Sequence, residues 1–194
     1  MSKGLVYIDV KSPYAYLAVA PIQALEDKFG VAFDWRHYTL DIPSYLGDVD
    51  TRDPHQWRRV RYSYMDARRY ANKLGLTLYG PKKIFDSSIA GIGLLYAKDQ
   101  DRLRAYMAPL FDRFWKRELD IEQPEVIKAV LAEAGCDVAG WDACLAGEGR
   151  ARHDRERTEA EQMGVFGVPS VVIDGEIFWG QDRLDFVAER LQGN

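Results

Sequence analysis

The sequence predicts an α/β fold in which a small sheet is built from the two ends of the chain and a long block of helices is inserted between them. Three observations carry this. The first forty residues read strand, helix, strand. Residues 56–162 are helical in character almost throughout, and after Gly164 the chain reverts to a hairpin followed by a helix.

Leu5 to Val10 is a short apolar run of β-branched and aromatic residues, a strand signal. Lys11-Ser12-Pro13 then opens a helix: Ser12 can cap the free amides of the first turn, and Pro13 suits a position that needs no donor. Tyr14, Leu17, Ala18, Ile22, Leu25 and Phe29 recur at three- and four-residue spacing, and Gly30 supplies the stop. Val31, Phe33 and Trp35 alternate through a second strand, Ala32 to Tyr38, and the connection is long enough for a parallel crossover.

Asp41 to His55, with its prolines, glycine and aspartates, reads as a loop. Beyond it Trp57, Val60, Tyr64 and Ala67 or Arg68 mark one helix face. Further helical segments are expected over Ile89–Tyr96, Leu103–Trp115, Pro124–Ala134 and Trp141–Leu145. In the last part, Ser170–Ile173 and Glu176–Trp179 are joined by Asp174-Gly175, a strong hairpin signal because a type I′ turn wants positive φ at both central residues. A final helix runs from Asp182, its candidate cap, to Leu191. Without the middle block the order is β-α-β, hairpin, α, which is the thioredoxin order. Residues 1–40 with 164–194 are therefore expected to form a thioredoxin-like domain, and residues 41–163 a helical insertion subdomain.

Hydrophobic residues make up 47% of the 194 and charged residues 29%, which excludes a disordered chain. A formal net charge of −4 argues against nucleic-acid binding, which needs a basic surface. No apolar run approaches a membrane span and the N-terminus lacks a cleavable apolar segment, so a cytoplasmic protein is expected. Cys136 and Cys144 are expected on one helical stretch, about 12 Å apart along its axis and too far for a disulfide. Their spacing matches no redox or zinc motif, so they read as packing residues and no metal is expected.

Ligands of open α/β folds gather at the carboxyl ends of strands, near helix N-termini. Three segments converge there: Lys11-Ser12-Pro13-Tyr14, Gly167-Val168-Pro169 and Trp179-Gly180-Gln181-Asp182. Ser12 stands where a redox protein of this fold carries its attacking cysteine. It is at the least a helix cap. As a nucleophile it is poorly activated, since His37, His55 and His153 lie outside the three segments. As a hydrogen-bond donor to a thiolate it serves well, because a helix N-terminus already lowers thiol pKa values. That points to a thiol brought by a cofactor. A cis Val168-Pro169 bond is expected, leaving the Val168 main chain as a free edge that can take up a peptide. Glutathione is a small peptide with a thiol. Asp182, with Gln181 and nearby amides, can hold the ammonium and carboxylate of its γ-glutamyl group.

Ser12-Pro13-Tyr14-Ala15-Tyr16-Leu17-Ala18, Phe166-Gly167-Val168-Pro169-Ser170 and Phe178-Trp179-Gly180-Gln181-Asp182-Arg183-Leu184 carry a resemblance over essentially the whole chain. It resembles the kappa-class glutathione transferases and, more closely, bacterial 2-hydroxychromene-2-carboxylate isomerases, which share a DsbA-like thioredoxin fold with a helical insertion. The resemblance implies glutathione as cofactor, with Ser12 stabilising its thiolate. It implies contacts to Val168, Pro169, Trp179 and Gly180, and γ-glutamyl recognition by Gln181 and Asp182. The family's asparagine in the loop entering the insertion is missing from Asp50-Thr51-Arg52-Asp53-Pro54, where Arg52 and Asp53 are the candidate substitutes. Tyr14 and Phe85 are candidate substrate contacts, Phe85 being the aromatic nearest the expected place beside Pro81. Within the cluster Arg58, Arg59, Arg61, Arg68 and Arg69, a solvated face is the plain reading; Arg58 or Arg61 facing the cleft could hold a carboxylate.

The expected activity is glutathione-dependent isomerisation of a small aromatic-derived keto acid, in a protein that could be a homodimer. The alternatives are a transferase or peroxidase using the same thiolate, and a non-catalytic module that holds peptides at the Val168-Pro169 edge. Lys11-Ser12-Pro13-Tyr14 contains no cysteine, which argues against a disulfide oxidoreductase.

Overall fold

The computed structural model describes residues 4–193. Strands β1 (Gly4–Ile8), β2 (Phe33–His37), β3 (Ser170–Ile173) and β4 (Glu176–Trp179) form one sheet in the order β2-β1-β3-β4. β1 runs parallel to β2, with Leu5 opposite Asp34, and antiparallel to β3, with Val6 opposite Val171. The β3–β4 hairpin turns at Asp174 and Gly175, both at positive φ (51° and 83°), as its Asp-Gly signal requires.

Helix α1 (Pro13–Phe29) makes the crossover from β1 to β2. Its ends follow the sequence signals: Ser12 Oγ accepts from the Ala15 N–H at 3.2 Å, and Gly30 takes up a left-handed conformation, φ 62°, that closes the helix. β1 ends two residues short of the expected Val10. Asp9 turns its carboxylate back onto the Lys11 and Leu40 N–H groups, and these local bonds replace ladder pairing.

Between β2 and β3 lie α2 (Ile42–Leu46), α3 (Pro54–Lys73), α4 (Ser88–Lys98), α5 (Leu103–Trp115), α6 (Pro124–Glu133), α7 (Trp141–Ala146) and α8 (Glu148–Gln162). The segment expected as loop from Asp41 to His55 thus contains the short helix α2. At the start of α3, Asp53 and Gln56 form a reciprocal capping box, each side chain accepting the other's N–H at 2.7 and 2.9 Å. α8 is polar along most of its length, yet it buries His153, Glu156 and Ala160.

One hydrophobic cluster runs through the described residues, from β1 and β3 to α4, α5 and α6. Tyr16 of α1 stacks on Phe111 and Trp115 of α5, with centroids 6.0 and 6.1 Å apart, and so ties the crossover helix to the inserted ones.

Two expectations are corrected. The C-terminal segment does not start on an Asp182 cap. A 3₁₀ turn, Gln181–Arg183, leads into α9 (Leu184–Gln192), and Asp182 instead pairs with Arg183 at 2.9 Å. The cysteines do not share a helix either, because Gly135 at φ 83° ends α6: Cys136 lies in the following loop and Cys144 in α7. Both are free thiols, and burial pushes both up from the ordinary cysteine range. Among the described residues no helix is long and apolar enough to cross a membrane, and no group of His, Cys, Asp or Glu is placed to hold a metal.

Candidate functional site

Asp9, fully buried at the end of β1, organises the loop that carries Ser12. Its main-chain carbonyl accepts the Ser12 N–H at 3.0 Å. Its carboxylate accepts the Lys11 N–H at 3.1 Å and the Leu40 N–H at 2.8 Å, so one side chain fixes the loops after β1 and β2 together. The Lys11 ammonium lies 3.7 Å from the same carboxylate and donates to the Phe85 carbonyl at 3.2 Å. Burial alone would raise the Asp9 pKa; the neighbouring His37 and Lys11 and the Leu40 N–H outweigh it and hold the carboxyl below its ordinary value.

Behind Asp9 two histidines meet. His37 Nδ1 and His153 Nε2 are 3.4 Å apart, and Thr39 Oγ1 lies 3.3 and 3.0 Å from the two nitrogens. Burial, and then the proximity of His37, push His153 down to about 4, against the pull of Asp154 at 3.0 Å. This cluster lies under the site.

In front of Asp9, Ser12 Oγ donates to the Val168 carbonyl at 3.4 Å while it caps α1. The Val168–Pro169 peptide bond is cis. The Pro169 carbonyl accepts from the Gly180 N–H at 2.9 Å, and the Gly167 carbonyl accepts from the Ser170 hydroxyl at 2.7 Å. Among the described residues, nothing accepts from the Val168 N–H. A hydroxyl, the positive end of a helix and an open main-chain edge therefore converge.

They open into a cleft of about 880 Å³, bounded by α3, the segment 80–85 and the 166–168 loop. Lys11, Arg52, Arg59 and Arg61 line it, as do Arg68, Lys82, Lys83 and Arg117, and no Asp or Glu does. Lys11 and Lys83 are paired with Asp9 and Glu122, and the remaining cations still leave this wall positive in a chain of net charge −4 and suited to an anionic ligand.

The cleft brings together Ser12, Val168, Tyr14, Arg52, Phe85 and Trp179 of the residues singled out from the sequence. Of the arginine cluster, Arg59, Arg61 and Arg68 face it; Arg58 does not line it, and Arg69 pairs with Asp66. Asp53 serves the α3 cap, and Pro169, Gly180, Gln181 and Asp182 lie outside the lining. The Tyr14 hydroxyl donates to Asp66 at 3.1 Å, and burial together with that carboxylate raises its pKa well above the tyrosine range. Sequence reasoning missed Lys11, Arg117 and Phe166 as site residues. Phe166 packs edge-on against Trp179 at 4.7 Å, both rings half or more exposed beside the Val168 edge. The apolar residue before Gly167-Val168-Pro169 was a signal for it, whereas Arg117 lies far from every motif.

The sequence is 29% identical over 189 residues to a 2-hydroxychromene-2-carboxylate isomerase of Sphingobium xenophagum, covering 95% of each chain. It is 24% identical to human glutathione S-transferase kappa 1, over 96% of this chain and 89% of that one. A solved 2-hydroxychromene-2-carboxylate isomerase superposes with a TM-score of 0.75 at 26% identity, covering 97% of this chain and 93% of that one. The family model for the DSBA-like thioredoxin domain matches residues 5–192, and with the sheet order, the cis Val168–Pro169 edge and the inserted helices this places the chain in the DSBA-like thioredoxin family.

Proposed function

We propose that the protein is a glutathione-dependent isomerase of small aromatic-derived keto acids, working through a thiolate stabilised by Ser12. The observation that carries this is the position of Ser12 Oγ: on the α1 N-terminus, beside the open Val168 edge, facing a cleft walled by cations. These residues suit glutathione. The Val168 N–H and carbonyl can pair with a peptide backbone, and Arg52 and Arg61 on the cleft wall can hold a carboxylate. Gln181 and Asp182, just beyond the lining, are assigned the γ-glutamyl end; the Asp182 carboxylate can accept from an ammonium alongside its present contact with Arg183. The chemistry this cofactor supplies is a thiolate that adds reversibly to a carbon conjugated with a carbonyl, so that a double bond becomes single, rotates and re-forms.

The chain's own part is to keep the sulfur ionised, position it and balance charge on the carbonyl oxygen. The Ser12 hydroxyl is held only at 3.4 Å by the Val168 carbonyl and is free to turn its hydrogen to a sulfur. The α1 dipole favours the same anion. Names among the relatives also favour isomerisation. The kappa-transferase relative favours conjugation as the second reading. Product analysis separates the two, since isomerisation returns glutathione unchanged and conjugation consumes it.

The test is calorimetric titration with glutathione, with the thiolate ultraviolet signal followed against pH. The expected result is binding with a lowered thiol pKa, lost in both Ser12→Ala and Ser12→Gly, with turnover down about 100- to 1,000-fold. Alanine should also cost about 1 kcal/mol as a poor cap, and glycine only about a few tenths, so the pair separates capping from chemistry. Absence of binding at millimolar glutathione would overturn the reading.

A further inference from the structure

We propose that Arg68 and Arg117, gathered at Gly80, form an anion station that holds the carboxylate of the second ligand, so that the cleft selects an α-keto acid over its neutral analogues. The inference rests on the glutathione-dependent reading and names what binds beside the cofactor.

The two arginines come from different helices and grip the same short segment. Arg68 of α3 donates its Nε to the Leu78 carbonyl at 3.1 Å, and one terminal nitrogen lies 3.7 Å from where a Gly80 Cβ would sit. Arg117, just past α5, donates its Nε to the Gly80 carbonyl at 2.7 Å. Each guanidinium also lies 5.9 Å from a tyrosine ring centroid, Tyr64 for Arg68 and Tyr79 for Arg117. The Nε groups are thus used on main-chain oxygens and the planes are held, which leaves the terminal nitrogens for a ligand. That is the geometry in which guanidinium recognises carboxylate bidentately.

Neither arginine is neutralised. Among the described residues, Arg68 and Arg117 form no ion pair, whereas Arg36, Arg104, Arg113 and Arg152 each pair with carboxylates. Lys82 on the same rim also has no acidic partner.

The backbone at Arg117 adds an independent observation. α5 ends in a Schellman motif, with Arg117 N–H on the Phe114 carbonyl at 2.9 Å and Glu118 N–H on the Arg113 carbonyl at 2.8 Å. The left-handed residue of that motif is usually glycine, and here it is Arg117 at φ 64°. A non-glycine residue thus sits in a conformation unfavourable to side chains, and from there its guanidinium reaches the Gly80 carbonyl.

A second arginine pair lines the same cleft. Arg52 donates to the Leu46 and Gly47 carbonyls and lies 5.0 Å from the Trp57 ring centroid, while Arg61 donates to the Trp57 carbonyl at 3.4 Å. That pair is available for the cofactor's own carboxylate. The cleft volume lies toward the upper end of the range for drug-sized ligands, leaving room for two molecules side by side.

The experiment is calorimetric titration of the protein, with and without glutathione, with 4-phenyl-2-oxobutanoate and with its methyl ester. The acid has no carbon–carbon double bond conjugated with its carbonyl, so it cannot be isomerised. The wild type should bind the acid about ten-fold or more tightly than the ester. Arg68→Gln/Arg117→Gln should bring the acid down to the ester's affinity, leaving glutathione and ester binding unchanged. If that variant does not fold, Arg68→Gln and Arg117→Gln are titrated singly, and each should weaken binding of the acid and not of the ester. Acid affinity unchanged in the variants, no binding of the acid to wild type, or a matching loss of glutathione affinity would each overturn the proposal. Failure of glutathione to bind wild type, with the acid still held by the two arginines, would instead overturn the cofactor reading alone.

Discussion

His37 Nε2 stands 3.4 Å from Oδ1 of Asp9, and both side chains are almost sealed from water. The contact joins the ends of the two parallel strands directly beneath Ser12, and on the far side of its ring His37 meets His153. A buried polar chain of residues therefore underlies the Ser12 loop, with Lys11, Thr39 and Asp154 around it.

Acid should weaken the fold through this cluster before ordinary carboxylates titrate. His153 is held neutral with a pKa near 4 against an ordinary 6.5, so from pH 6.5 down to 4 the unfolded chain takes up a proton that the folded chain refuses. Its stabilising contribution is full above 6.5 and is lost as pH falls through that window, by about 3 kcal/mol at most. The depressed Asp9 adds a further loss below its ordinary value of 3.8. Chemical unfolding measured from pH 7 to 4 should show the slope, and His153→Gln should flatten it; an equal slope in the variant would remove His153 as its source.

Lys11→Met should destabilise by about 1–3 kcal/mol, because a buried carboxylate loses a neighbouring ammonium and the Phe85 carbonyl loses a charged donor. Lys82→Met, at an exposed lysine of the same cleft with no ion pair among the described residues, should stay within about 0.5 kcal/mol of wild type. Urea midpoints for the two variants check this, and equal midpoints would show that the Lys11 contacts carry no net stability.

Gly91→Ala should be among the more damaging small substitutions in the chain. A Cβ there would collide with the buried His37 ring, which is wedged between Asp9 and His153 and has little room to give. The expected loss is about 1–3 kcal/mol, as for overpacking elsewhere. The chemical shifts of the Ser12 loop should move with it, since that loop is tied to Asp9. A stable variant with an unshifted loop would show that the ring can step aside.

The thioredoxin part was legible because its signals are local. Ser12-Pro13 and Gly30 bound α1, Asp174-Gly175 makes the hairpin turn, and the cis Val168–Pro169 bond lies where the order of elements demanded it. α8 was not singled out as a segment because its stability comes from packing on neighbouring elements, and few apolar residues mark its buried face. The Asp9, His37 and His153 cluster draws on three distant segments, and no spacing in one sequence connects them. Asp182 looked like a cap because aspartate commonly is one, but the chain enters α9 through a 3₁₀ turn that leaves its carboxylate to Arg183. Of the cleft, Ser12 and Val168 were readable from motifs, whereas Arg117 arrives from the end of a helix whose only sequence signal was its core-facing pattern.

The floor of the cleft and its rim are made by different stretches of chain. The floor is β1, the start of α1 and the approach to β3, tied together by the Asp9 side chain and by the Ser12 hydroxyl on the Val168 carbonyl. The rim is α3, the 78–83 segment and the end of α5, whose arginines hang on main-chain oxygens and take no part in the floor's bonding. Those arginines can therefore be exchanged over generations, or by an engineer, without breaking a bond of the floor, which meets the rim instead through Tyr14 on Asp66 and Lys11 on the Phe85 carbonyl. A lineage built on this plan is free to diversify in what it admits while inheriting one unchanging base.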